Sequence, residues 1–292
     1  MDKVCKQYLL KKILIRIDFL QVQDVDIDNI VQKVRDYFFE SEFKLYQNVV
    51  PLASMQTDNI ITGVNSIDIN QPVSAVSIIN ETVKEYQFQK NELVIKLSSR
   101  YLIIEENIGN NYKGSDTYEY IIEKLMDAVY KENSYVSLQR IGLRKFNSLV
   151  FKEIKNINKF FDSKIFNQSD TIEKYKSFGN ILCDADSKLS IISEKKGCKA
   201  NIVTDIQTGE YSSEISGETG QAIQAVLDID IYKDDFEKTE NMSDYIVKKY
   251  KLLNEELFEI YKSALTEEFY KALLDGTVQD SDILGGIFNV QD

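Results

Sequence analysis

The chain has 292 residues, of which 43% are hydrophobic and 28% are charged, a balance typical of a soluble globular protein with one large domain or two ordinary ones. Its formal net charge of −12 excludes a general affinity for nucleic-acid backbones, because such binding depends on Lys and Arg neutralising phosphates. The sequence contains no histidine, which excludes Ser-His and Cys-His nucleophile pairs and removes the usual general base near neutral pH. Any chemistry would therefore depend on carboxylates, lysine, tyrosine or a hard metal ion.

The first twenty residues are basic and then apolar, as in a secretory signal, but charged residues such as Arg16 and Asp18 interrupt the apolar part. We therefore predict neither export nor a membrane span, and we expect a cytoplasmic location.

The three cysteines, Cys5, Cys183 and Cys198, are an odd number at irregular spacing. This pattern fits neither a disulfide framework nor a zinc site, so we expect reduced thiols.

The chain opens with a predicted strand and a predicted helix. Residues 12–20 partly alternate between apolar and charged side chains, which predicts a strand. Residues 24–39 carry apolar residues at helical spacing and predict a helix capped by Asp26 or Asp28. A loop-like region through Pro51 and Pro72 follows, with a short strand near residues 42–50.

The clearest hairpin comes next. Two long strands are predicted at 73–90 and 92–107, joined by a turn at Lys90 and Asn91. Asp116, followed three residues later by Glu119, marks the start of an amphipathic helix. This helix leads directly into a strand, SLQRIGLRKFNSLVF, at residues 137–151.

The second half begins with short helical or irregular pieces and then becomes regular. A hairpin is predicted to turn near Lys196 and Gly197, and a further strand near residues 222–235. A long helix is predicted from about residue 241 to 275, with apolar residues at helical spacing and Gly276 at its end.

Together these elements predict an α+β fold with mainly antiparallel sheets packed with helices. We predict two α+β domains, at residues 1–152 and 153–292, the second containing the long C-terminal helix and a flexible tail.

The strand at 137–151 carries the most unusual pattern in the chain. With a period of two, Arg140, Gly142, Arg144 and Phe146 share one face. A glycine inside a strand permits close approach of a neighbouring group, and a planar guanidinium can make two hydrogen bonds to one carboxylate. The carboxylates that we expect to pair with these arginines are Asp18, Asp228 and Asp230. Two interpretations stay open: a structural ion-pair network, or a grip on a phosphate or on a partner's carboxylate.

Alternating aspartates offer a possible metal site. Asp184 with Asp186, and Asp228 with Asp230, would place carboxylates on one strand face, where Mg²⁺ could bridge to a phosphate. Exposed strand faces are often acidic in a protein this negative, so we predict no metal and no cofactor and keep metal binding as the alternative.

The C-terminal tail, DILGGIFNVQD, has apolar residues around a Gly-Gly pair. It either docks on the body of the protein or is a short peptide that a partner grips. Its candidate partner-binding residues are Ile283, Leu284, Ile287 and Phe288.

The run RIGLRKFN, from Arg140 to Asn147, resembles the central motif of a sporadically distributed family of uncharacterised prokaryotic proteins. In that family a strand of the form R-I-G-L-R-aromatic-x-N is usual, whereas here Lys145 precedes Phe146 and displaces the aromatic residue by one position. An opening strand such as KKILIRIDF, and a late LDIDIY strand followed by a long helix, also fit. The resemblance implies a gene with a patchy distribution among prokaryotes, as is typical of genes on mobile or defence-related islands. It does not indicate any particular activity.

Two functional hypotheses follow from these observations. The first is a non-catalytic protein-binding component, accessory or antitoxin-like, of a bacterial defence or toxin-antitoxin type system, with a partner protein encoded nearby. The alternative is a Mg²⁺- or Mn²⁺-dependent enzyme that acts on nucleotides or nucleic acid through the paired aspartates. We favour the protein-binding hypothesis, expect no membrane partner, and leave the oligomeric state open.

Overall fold

A computed structural model describes residues 5–20, 22–51, 82–108, 112–167, 185–193, 196–212, 219–237 and 241–289. Ten strands form one antiparallel sheet with helices packed against it, and a separate two-stranded sheet joins the two ends of the described chain. The predicted α+β fold with antiparallel pairing is therefore confirmed. Pro72, the piece at 171–179, Cys183 and Asp184 lie outside the described residues.

The large sheet has the strand order β3-β4-β5-β6-β2-β7-β10-β9-β8, and β11 pairs with β7 beside this path. The strands are β1 Gln7–Tyr8, β2 Leu10–Leu20, β3 Lys44–Pro51, β4 Thr82–Lys90, β5 Leu93–Ser98, β6 Tyr101–Asn107, β7 Ser137–Phe151, β8 Ala185–Ser193, β9 Cys198–Ser212, β10 Thr219–Lys233, β11 Ile283–Gly285 and β12 Phe288–Asn289. The central position of β2 and β7 explains why their inward residues, such as Ile15 and Leu143, are fully buried.

The described helices are α1 Asp24–Glu40, α2 Asp116–Glu132, α3 Ile157–Phe160, α4 Met242–Ser263 and α5 Glu267–Asp275. Helix α2 packs between α1 and α4, and α1 and α4 also contact the sheet. Each of these three helices turns its apolar stripe inward, so that one core lies between the helices and one side of the sheet. None of the described helices is both long enough and apolar enough to cross a membrane.

The two halves of the chain follow a similar order. In the first half, β2 is followed by α1, by β3 to β6 and by α2; in the second half, β7 is followed by α3, by β8 to β10 and by α4. Strands β2 and β7 are antiparallel neighbours at the centre of the sheet. The predicted domain boundary at residue 152 lies just past the end of β7, and β7 pairs with β2 on one side and β10 on the other. The two predicted domains thus share one sheet.

The predicted hairpin at Lys90 and Asn91 is present as the turn between β4 and β5, where Asn91 has a φ of 51°. The second predicted strand is divided into β5 and β6. The Ser98 hydroxyl oxygen accepts hydrogen bonds from the backbone N–H groups of Arg100 and Tyr101, both at 3.2 Å. These bonds close a tight turn that periodicity alone does not reveal, because both strands carry the same apolar alternation.

Helix α1 begins earlier than the predicted caps. Its N-cap is Gln23, and Asp26, the third helical residue, accepts a hydrogen bond from the Gln23 backbone N–H at 3.0 Å. Asp28 does not cap the helix; its carboxylate accepts a hydrogen bond from the Tyr86 hydroxyl at 2.9 Å and pairs with Lys84 at 2.5 Å. Asp26 therefore takes part in the cap, as one half of a capping box with Gln23, and Asp28 does not.

The helix predicted for residues 241–275 is two helices. Helix α4 ends at Ser263, and α5 begins at Glu267 with Thr266 as its N-cap. The Thr266 Oγ1 accepts a hydrogen bond from the Phe269 N–H at 3.3 Å and donates one to the Lys159 carbonyl oxygen at 2.7 Å. Between the two helices the chain turns, and Leu265 forms an isolated antiparallel bridge with Phe161.

The C-terminal tail docks on the body of the protein. Strand β11 pairs with the end of β7, and β12 pairs with β1, so that Phe288 lies opposite Tyr8. Of the four apolar tail residues, Ile283, Ile287 and Phe288 pack against the core, and all four are half-buried. Of the two alternatives for the tail, the structure shows docking on the body of the protein between Ile283 and Asn289.

Candidate functional site

The side of the sheet opposite the helices presents arginines stacked on aromatic rings. Helices α1, α2 and α4 cover the side that carries residues such as Ile141 and Leu143. Because side chains alternate along a strand, the other side carries the intervening residues. We call this surface the open face and define it by Arg16, Tyr101, Arg140, Arg144, Phe146 and Tyr232, all of which are half-buried.

Arg144 on β7 makes the strongest ion pair of the open face. Its Nε lies 2.9 Å and 3.2 Å from the two carboxylate oxygens of Asp228 on β10, and its Nη2 lies 2.5 Å from Oδ2. The side chain of Asp228 is only 9% exposed, while that of Arg144 is 43% exposed and stacks on Phe146 at 4.5 Å. The hydrogen bond to Asp228 raises the pKa of the Arg144 guanidinium above its ordinary value. The predicted pairing of Arg144 with a carboxylate on the late strand is present.

Arg140 pairs with Asp230, but the contact is long. Its Nη2 lies 3.5 Å from Oδ2 of Asp230, and its guanidinium stacks on the Tyr232 ring at 4.2 Å. Burial raises the pKa of the Asp230 carboxyl, and the charge of Arg140 opposes that rise. Gly142 lies beneath: a Cβ at that position would sit 3.5 Å from Arg140 Nε and 3.7 Å from Tyr232 Cβ. These are ordinary van der Waals distances, and they place the guanidinium and the ring directly above Gly142.

Asp18 does not pair with either predicted arginine. It lies opposite Arg140 in the register of β2 with β7, yet it accepts a hydrogen bond from Arg16 Nε at 2.7 Å. Arg16 also stacks on Tyr101 of β6 at 5.3 Å. The sequence placed Arg16 and Asp18 on the same strand face, but it could not show that the nearer cation would be the partner.

The paired aspartates do not form a metal site in the described part of the chain. Asp228 and Asp230 are engaged by arginines, and Asp186 lies in β8 opposite Asp205, where only its backbone is described. Asp184 lies outside the described residues. Within the described ranges, no three or more Cys, Asp or Glu side chains are grouped as metal ligands.

Lys145 is a buried charged residue on the opposite side of β7 that the sequence interpretation did not single out. It points to the helix side of β7, where its Nζ donates a hydrogen bond to Oδ1 of Asn254 on α4 at 2.7 Å and lies 6.0 Å from the Tyr112 ring. Burial lowers the pKa of Lys145 from its ordinary value of 10.5 to about 8. The two-residue period of the strand places Lys145 on the same face as Ile141 and Leu143. That position is the sequence signal that the charge of Lys145 is buried.

Tyr101 and Tyr232 were also missed. Each stacks with an arginine from a neighbouring strand of the sheet, Arg16 in the first case and Arg140 in the second. Aromatic residues in strands are common, so only the register between strands could identify these two as members of one surface.

The open face is chemically suited to binding. Its arginines are opposed by nearby carboxylates, and it brings together no nucleophile with a base among the described residues. Planar cations stacked on rings give rigid groups that combine apolar area with directional hydrogen-bond donors.

No protein-family model matches the chain. The chain is similar to a DNA primase from Clostridium acetobutylicum, with 25% identity over an alignment of 189 positions that covers 60% of this chain. The chain spans 30% of the length of that protein.

Proposed function

We propose that this protein is a non-catalytic protein-binding component of a bacterial defence or toxin-antitoxin type system, and that its open face contacts the partner. The observation that carries the proposal is the set of three arginine-aromatic stacks at the centre of a sheet side on which no described helix packs. Arginine and tyrosine are enriched among the residues that dominate the free energy of protein-protein binding.

The composition of the face supports a protein partner over a nucleic acid. The three arginines are balanced by Asp18, Asp228 and Asp230 within the same surface, and the chain carries a net charge of −12. A phosphate backbone needs uncompensated positive charge, whereas a protein interface needs complementary charge and apolar area. The family resemblance of the RIGLR motif favours a partner gene in the same neighbourhood.

The tail is a weaker candidate for the contact. Its apolar residues already pack against the body of the protein, so a partner would have to displace them. We therefore assign the contact to the open face.

The test is co-expression with the neighbouring genes, followed by affinity capture and size-exclusion chromatography with light scattering. We expect a complex of fixed stoichiometry that is lost when Phe146 and Tyr232 are both changed to alanine. The matched control is Tyr135→Ala, which removes an aromatic side chain that is 76% exposed in the turn before β7. Isolation of the wild-type protein as a lone monomer under these conditions would contradict the proposal.

A second candidate function is an enzyme that acts on nucleotides or nucleic acid with Mg²⁺ or Mn²⁺. The partial likeness to a DNA primase favours it, while the engagement of Asp228 and Asp230 by arginines disfavours it. Calorimetric titration with MnCl₂ separates the two candidates. Heat of binding that disappears in the Asp228→Asn, Asp230→Asn double variant would favour the enzyme.

A further inference from the structure

Arg140 and Arg144 differ in how much of their hydrogen-bonding capacity the protein already uses. Arg144 makes three close contacts with the carboxylate of Asp228. Arg140 makes one hydrogen bond among the residues that the structure describes, at 3.5 Å, and its Nε is buried without a partner there. A guanidinium has five N–H donors, so Arg140 retains most of its donors.

The position of Arg140 is nevertheless fixed. The side chain lies across Gly142 and stacks on the Tyr232 ring at 4.2 Å. A stacked guanidinium loses little further conformational freedom when it binds, which favours a directional contact. The side chain of Arg140 is 35% exposed, so a ligand can reach it.

Cationic side chains line the row of residues that crosses the sheet at this point. Arg16, Gly142, Tyr232 and Lys199 are consecutive cross-strand neighbours on β2, β7, β10 and β9. Arg140 lies over the middle of this row, while Arg16 and Lys199 are held at its ends by Asp18 and Asp234. The cations at the two ends of the row are therefore neutralised by their own carboxylates, and the unused hydrogen-bond donors lie at its centre, on Arg140.

We infer that Arg140 is the anchor of the open face and binds a carboxylate, from an Asp or Glu side chain of the partner protein. The inference rests on the proposed protein-binding function and names the chemistry of its central contact. A carboxylate matches the planar fork of a guanidinium in two hydrogen bonds. The single long hydrogen bond from Arg140 to Asp230 leaves room for a second carboxylate on the same guanidinium.

The direct test uses a fluorescein-labelled hexaglutamate peptide at physiological ionic strength, where salt screens its repulsion by a chain of net charge −12, with binding followed by fluorescence anisotropy. We expect the wild-type protein to bind, and Arg140→Gln and Arg140→Lys each to weaken binding by about fivefold or more, because lysine keeps the charge but loses the fork. The matched control is Arg35→Gln on α1, which removes the same charge from the helix side and leaves binding within about twofold. Circular dichroism and thermal unfolding confirm that each variant is folded.

Competition distinguishes a carboxylate from a phosphate. At equal ionic strength, inorganic phosphate is expected to displace the peptide no better than acetate does. Absence of wild-type binding, equal binding by Arg140→Gln, or much stronger displacement by phosphate would each overturn the inference.

The complex with the neighbouring gene products separates this inference from the proposed function. A complex that forms equally well with Arg140→Lys overturns the anchor and leaves the protein-binding function standing. Peptide binding that depends on Arg140, without any complex, supports the anion site and contradicts the proposed function.

Discussion

Arg140 and Arg144 lie two residues on either side of Gly142, yet they stabilise the protein differently. Arg144 neutralises a carboxylate whose side chain is 9% exposed, whereas Arg140 contacts one that is 27% exposed through a single long bond. A buried carboxylate without its partner destabilises the folded state more than an exposed one does. The sequence pattern treats the two arginines as equivalent, and the register with β10 makes them different.

Arg144→Ala is expected to lower the free energy of unfolding by about 1 to 3 kcal/mol, a range reduced from the fully buried case because solvent screens the half-exposed arginine. Arg140→Ala should cost less than about 1 kcal/mol. Urea unfolding of both variants checks this difference. In the Arg144→Ala, Asp228→Ala double variant, the loss should be smaller than the sum of the single losses, because no unpaired charge is left. Additive losses would show that the pair is not coupled.

Lys145 gives the protein a pH dependence of stability. Its pKa of about 8 in the folded state lies below its ordinary value of 10.5, so the unfolded chain binds the proton more tightly. The cost of burying this charge is fully present below pH 8 and disappears as the pH rises through the interval between the two values.

Lys145→Met removes that cost. We expect the variant to be more stable than the wild type at pH 7, and its advantage to shrink by roughly 1 to 2 kcal/mol between pH 7 and pH 9.5. Chemical denaturation at both pH values measures the advantage. Lys248→Met, an exposed lysine change on α4, serves as the control and should show no such trend. A constant difference across this range would mean that Lys145 is not buried as a titrating amine.

At the scale of elements, the predictions succeeded where local pattern decides the structure and failed where one side chain redirects the chain. The apolar faces of α2 and the hairpin at Asn91 follow directly from periodicity and turn chemistry. At the break at Thr266 and the turn at Ser98, a hydroxyl group hydrogen-bonds to backbone atoms. Serine and threonine occur throughout helices and strands, so sequence alone does not show which of them will interrupt an element.

Thr266→Ala should lower the free energy of unfolding by about 1 kcal/mol, because α5 loses its N-cap and the Lys159 carbonyl oxygen loses its donor. Thr266→Ser keeps both bonds and should lie close to the wild type. Thermal unfolding monitored by circular dichroism compares the two variants. Equal losses in both would indicate that the methyl group of Thr266, and not its hydroxyl, stabilises the junction.

Gly286 fixes the tail in place. It has a φ of 100°, and a Cβ there would lie against the Ser148 carbonyl oxygen and 2.9 Å from the Leu149 Cα. Gly286→Ala should therefore detach the tail from β7, with a stability loss of about 1 to 3 kcal/mol. Hydrogen exchange should show lost protection at Lys152, whose N–H donates to the Asp282 carbonyl oxygen at 2.9 Å. Gly285→Ala, where a Cβ meets nothing within 4 Å, is the control and should keep that protection.

At the scale of the whole molecule, the antiparallel sheet was predicted and its continuity was not. The sequence contains no linker and no change of composition that would mark a domain boundary. The predicted boundary therefore follows the end of the strand predicted at residues 137–151. In the structure, β7 pairs along most of its length with β2 and with β10. Long-range pairing of this kind depends on contacts between distant residues, which a single sequence does not display.

The continuous sheet leads to a prediction about cooperativity. Wild-type protein should unfold in one transition, because separation of β7 from β2 or from β10 would expose core residues in both halves of the chain. The fragment 1–152 should not show a cooperative transition of its own, since β7 would lose its β10 neighbour. Differential scanning calorimetry of the full chain and of the fragment measures both. A sharp transition in the fragment would establish an independent first domain.

The similar order of the two halves places the first strand of each half at the centre of the sheet. A single unit of strand, helix, strands and helix would leave its first strand as an unprotected edge, a position prone to aggregation. Two such units cover that edge for each other through β2 and β7, as two subunits of a symmetric dimer would. The central pairing of β2 with β7 therefore shields the backbone donors and acceptors of both strands from pairing with another molecule.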